Sequence, residues 1–66
     1  MKVKVVFEDK VNEVEIKGES TIEDLLKQMG INTESVLVKR NGFFVPVEND
    51  LNDGDYIEIL SVVSNG

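Results

Sequence analysis

Of the side chains that do most chemistry in proteins, this chain lacks the two most versatile: it has no His and no Cys. Without an imidazole, Ser20, Ser35, Ser61 and Ser64 have no base of the usual kind to activate them. Without a thiol there is no sulfur nucleophile, no disulfide staple and no thiolate metal site. Paired carboxylates serve glycosidases as acid and base, but they need a cleft that 66 residues hardly build. The acidic stretch "ENDLNDGD" fails as a calcium loop. With Gly54 at the sixth position of an EF-hand, Leu51 falls at the third and Leu60 at the twelfth, and neither ligates calcium. Asp53-Gly54-Asp55 reads instead as a tight turn that launches the next strand. The five glycines are scattered singly, so no phosphate-cradling loop is present. One further group remains, and no side chain carries it. The sequence finishes "ILSVVSNG", which places a carboxylate on a bare glycine, Gly66.

The elements that position that group follow from length, charge and periodicity. Sixty-six residues make one domain with one small core. A net charge of −6 opposes nucleic acid and anionic membranes as partners, since both demand cations. "MKVKVVFEDK" is interrupted by charge too early for a signal peptide, and no run approaches the roughly 18 apolar residues of a spanning helix. A cytoplasmic domain is expected, in keeping with the missing cysteines.

"MKVKVVFE" alternates with Val3, Val5 and Phe7 on one face, the period of a half-buried strand. A polar turn around "DKVN" leads to "EVEIKG", where Val14 and Ile16 alternate with charge, and the two runs predict an antiparallel hairpin. The period then changes. "STIEDLLKQMG" sets Ile22, Leu25, Leu26 and Met29 on one helical stripe. Ser20 with Glu23 forms a capping box, and Gly30 supplies the stop. Asn41-Gly42 marks a type I′ hairpin turn, and Pro46 confines its strand to an edge or a short length. Phe43 and Phe44 point to opposite faces, so one enters the core and the other lies near the surface, where aromatics favour interfaces. After a polar loop anchored by Leu51, "YIEIL" alternates again, with Ile57 and Ile59 inward. The predicted fold class is α+β: a mixed sheet of four to five strands with one main helix across a face, the hairpin–helix–hairpin–strand order of the β-grasp or ubiquitin-like fold.

Leu51, Asp53, Gly54, Asp55, Ile57, Ile59 and Gly66, with Asn41, Gly42, Val45 and Pro46 upstream, resemble the ThiS/MoaD family of β-grasp sulfur carriers. That family shares an "L…DGD.I.I…V.GG" ending and an "NG..VP" hairpin. The resemblance spans the chain, and the length suits the ThiS branch. It implies a carrier, not a catalyst. An activating enzyme using ATP and magnesium adenylates the C-terminal glycine carboxylate. A sulfur donor then displaces AMP to leave a thiocarboxylate, which serves a thiazole, molybdopterin or tRNA-thiolation enzyme. On this basis residues 1–63 form the domain and 64–66 a slim tail, with Val63, Ser64 and Asn65 leading to Gly66 as the group that accepts AMP and sulfur. Asn65 departs from the family's Gly-Gly. Phe43, Phe44, Asp53 and Asp55 are the candidate partner interface. The alternative from another class is a ubiquitin-like modifier or a β-grasp interaction module without sulfur transfer.

Overall fold

A computed structural model describes residues 1–62. Five strands form one sheet in the order β2-β1-β5-β3-β4. They are β1 (Lys2–Phe7), β2 (Lys10–Glu15), β3 (Val36–Arg40), β4 (Phe43–Val45) and β5 (Tyr56–Ser61), and one helix, α1 (Ile22–Gln28), follows β2. Both hairpins are antiparallel, β5 runs antiparallel to β3, and β1 and β5 pair in parallel at the centre. The sheet is therefore mixed, and its five strands meet the upper end of the expectation.

The core is the face that period-two alternation turns towards α1. Val3 and Val5 from β1, Val36 and Val38 from β3, and Ile57 and Ile59 from β5 meet Ile22, Leu25 and Leu26 of the helix, all of them buried. Full burial of such side chains contributes roughly 1.5–3 kcal/mol each. Ile16 and Leu51 are buried in the same cluster.

The first hairpin turns earlier than "DKVN". Glu8 and Asp9 alone make the connection, at φ +53° and +63°, and Phe7 pairs with Lys10. A two-residue turn keeps Val14 opposite Val3 and on the core side, and that register overrides the poor left-handed propensity of Glu8.

The helix start is also shifted by one residue. Thr21, not Ser20, is the N-cap: its hydroxyl accepts from the Asp24 N–H at 3.2 Å, and the Asp24 carboxylate accepts from the Thr21 N–H at 3.0 Å. Ser20 and Glu23 are not the box, because the loop after β4 claims them. The Ser20 carbonyl accepts from Leu51 N–H at 2.8 Å, and the Ile22 and Glu23 N–H groups donate to Asn49 and Val47. Every early donor of the helix is thus satisfied. At the other end Gly30, at φ +74°, lets its own N–H reach the Lys27 carbonyl and the Ile31 N–H reach Leu26, a Schellman stop.

Asn41-Gly42 forms the expected tight turn, with φ +51° and +90°. β4 is three residues long, lies at the sheet edge and ends at Pro46, as a residue without an N–H requires. No helix among the described residues is long and apolar enough to cross a membrane.

Candidate functional site

The last strand is the central one of the five. β5 lies between β1 and β3, and its last pair is Ser61 with Val36. One residue on, the Val62 N–H donates to the Ser35 carbonyl at 2.9 Å, so the 3₁₀ turn Thr33–Ser35 holds the end of β5. Because β1 and β5 are parallel, both run towards the same end of the molecule. A shallow groove there is lined by Phe7, Glu8 and Asp9 on one side and Ile59, Leu60 and Ser61 on the other. Val63, Ser64, Asn65 and Gly66 lie outside the described residues, as does the division between domain and tail at residue 63.

The sheet face turned away from α1 carries large apolar side chains beside the end of β5. Leu37 pairs directly with Leu60, and they are 50% and 41% exposed. Next in register, Lys39 stands between Glu58 and Phe44. The Lys39 ammonium lies 4.9 Å from the centre of the Phe44 ring, a cation–π contact that holds the ring over the sheet. Leu37 and Leu60 escaped the sequence reading, although "SVLVK" and "YIEIL" carry a signal for them. Each run keeps a leucine at an outward position where pure alternation puts a polar residue.

The two phenylalanines do point to opposite faces, but neither enters the core: Phe43 is 76% exposed and Phe44 60%. Val45, opposite Val38, packs against the core instead. Phe43 is opposite Arg40, past the apolar row, where the neighbouring ground belongs to a polar loop. The Arg40 guanidinium donates to the Asp50 carbonyl at 2.7 Å and stands 3.9 Å from the Asp55 carboxylate.

The two aspartates are engaged within the chain. Asp55, only 6% exposed, accepts from the Asn52 N–H at 2.9 Å, so it does not present a surface to a partner. Asp53 accepts from the Lys2 N–H at 2.8 Å, and the Gly54 N–H donates to the Lys2 carbonyl. The "DGD" stretch is a clamp that ties the start of β1 to the loop before β5. Among the described residues no three His, Cys, Asp or Glu side chains gather as a metal site.

Residues 5–66 match the ThiS family. The chain belongs to that family. It is 33% identical over 54 residues to the sulfur carrier protein TtuB of Thermus thermophilus, covering 82% of this chain and 83% of that one. It is 37% identical over 67 residues to an uncharacterized protein of Archaeoglobus fulgidus, covering 100% and 97%. The crystal structure of the thiamine biosynthesis protein ThiS from Geobacter metallireducens superposes with a TM-score of 0.72 at 24% identity, with 100% of both chains covered. That similarity gives the fold: the β-grasp.

Proposed function

We propose that this ThiS-family chain is a sulfur carrier whose working atoms are the carboxylate of Gly66. The match to the family over residues 5–66, running through that glycine, carries the reading. An activating enzyme, using ATP with magnesium, transfers AMP to the carboxylate and releases pyrophosphate. Sulfur from a donor attacks the acyl carbon, AMP leaves, and a thiocarboxylate remains. The carrier contributes no catalytic side chain, in keeping with a sequence that lacks His and Cys. It contributes a rigid body to be recognised and a glycine slim enough to enter another protein's active site. The braced tail base at Val62 fixes where the tail leaves the body. The apolar face of Leu37, Leu60 and Phe44 beside it is the docking surface for the activating enzyme. The thiocarboxylate then serves thiazole formation, molybdopterin formation or tRNA thiolation in the cytoplasm.

The test is the intact mass after incubation with ATP, magnesium, a sulfide source and an activating enzyme from the same organism. The expected gain equals the exchange of one oxygen for sulfur, and it disappears when Gly66 is deleted. The form with Asn65→Gly and a Gly-Gly member of the family run in parallel. An unchanged mass for this chain and for Asn65→Gly, while the Gly-Gly protein reacts, overturns the reading.

A further inference from the structure

The two edges of the sheet are built differently, and the difference points to a second partner surface. Met1 and Ile16 exchange both backbone hydrogen bonds, at 2.7 and 2.8 Å. In an antiparallel pair such exchanges alternate. Val14, Asn12 and Lys10 therefore bond to β1, while Val11, Glu13 and Glu15 turn their N–H and C=O groups away from it. Among the described residues nothing pairs with those groups. The opposite edge is closed off: β4 has three residues, stops at Pro46, and by the same alternation turns only the backbone of Phe44 outward. β2 has six residues and contains neither proline nor glycine.

Natural proteins guard such edges with charge, and on the face away from α1 the guard of β2 is acidic, with Lys2 and Lys4 behind it on β1 and Lys2 4.0 Å from Glu13. On the face away from α1, β2 presents Val11, Glu13 and Glu15. A second copy added antiparallel to this strand finds no opposite charge on this face in any central register. Centred on Glu13 it sets Glu13 against Glu13, and centred on Val14 it sets Glu13 against Glu15. Centred on Asn12 it sets Val11 against Glu13, and centred on Val11 it sets Val11 against itself, since Asp9 lies in the turn. Like charges directly opposite destabilise a pair. Self-pairing gains nothing from charge and in two registers opposes acids, whereas a cationic strand gains an opposite charge at both Glu13 and Glu15.

We propose that the outer edge of β2 docks an extended, cationic segment of a partner protein, which adds antiparallel to β2. Its open-face residues read basic, basic, apolar at alternate positions, opposite Glu15, Glu13 and Val11. Backbone bonds supply attachment and the two carboxylates supply selection. This surface is two strands from β5 and does not depend on the Gly66 chemistry.

The experiment is amide hydrogen exchange by NMR on the whole chain, with an acetylated and amidated peptide Thr-Lys-Val-Lys-Val-Val-Thr as probe. Exchange is expected to slow at Val11, Glu13 and Glu15 but not at Asn12 and Val14, which β1 already protects. A peptide with N-methyl groups on its pairing edge, or with Glu in place of Lys, gives no protection. In the double variant Glu13→Lys, Glu15→Lys the cationic peptide binds about tenfold more weakly, the scale of two exposed ion pairs reversed. Val11→Pro, which removes an outward N–H and leaves both carboxylates in place, also loses binding while circular dichroism confirms the fold. Absence of the alternate-amide pattern at millimolar peptide, equal protection by the N-methylated peptide, or undiminished binding to the double variant overturns the proposal.

Discussion

Glu8 and Asp9 hold the left-handed backbone of the first turn, at φ +53° and +63°, with side chains that gain nothing from it. For an ordinary L-residue that conformation costs roughly 1–2 kcal/mol, and Asn and Gly escape most of the cost. The second hairpin makes the same turn with Asn41 and Gly42, and there Asn41 adds a use for its side chain: its amide oxygen accepts from the Tyr56 N–H at 3.1 Å. Replacing Glu8→Asn and Asp9→Gly together is expected to raise stability by about 1 kcal/mol or more. In urea the midpoint rises while the slope stays constant, because the surface exposed on unfolding is the same. An unchanged midpoint shows that the acidic pair is compensated in the folded state. The same two positions explain why the sequence misleads here. Propensity favours a turn further along, at "DKVN", but the register that buries Val14 beside Val3 leaves room for two residues only.

At the scale of elements, α1 shows the same contest between local signal and tertiary claim. Ser20 with Glu23 and Thr21 with Asp24 both satisfy a capping pattern in the sequence, so local chemistry cannot choose between them. The loop after β4 chooses, since it bonds the Ser20 carbonyl and the first two helical N–H groups. The hydrogen bond from the Thr21 N–H, then that with the Thr21 hydroxyl, holds the Asp24 carboxyl below its ordinary value of 3.8. A lowered folded value means that the ionised cap stabilises the native state above the unfolded pKa. That contribution is lost as pH falls through the folded one. Comparing thermal unfolding of the parent with Asp24→Asn is expected to show a gap at neutral pH that narrows as pH falls below 3.8. A gap that stays constant removes the carboxylate from the cap. The order of elements along the chain, the helix stripe, the Gly30 stop and the Asn41-Gly42 turn were legible because each rests on a local pattern. The exposure of Phe43 was not, because it depends on Arg40 and the 49–55 loop meeting across the sheet.

The whole molecule separates recognition from chemistry. Core residues extend from Val3 to Ile59, the DGD clamp ties the start of β1 to the last loop, and Val62 is pinned beside Ser35. In the proposed carrier the reacting carboxylate is that of Gly66, whereas the face proposed for the activating enzyme is built by Leu37, Leu60 and Phe44. Variants in the two places then fail differently. Loss of Gly66 removes the acceptor, so no concentration of carrier restores turnover. Leu60→Asp leaves the acceptor in place and puts a charge in the middle of an apolar contact, in a chain already at −6. Its side chain is outward and opposite Leu37, so the core is untouched and the fold is kept, with about 1 kcal/mol of stability lost from the cross-strand pair. Adenylation kinetics with the activating enzyme are expected to show a KM about tenfold higher, equivalent to about 1.4 kcal/mol, with kcat near that of the parent. A fall in kcat at unchanged KM moves the role of Leu60 from docking to aiming the tail. Unchanged kinetics place the docking surface elsewhere, with Phe43 on the other face as the next residue to replace.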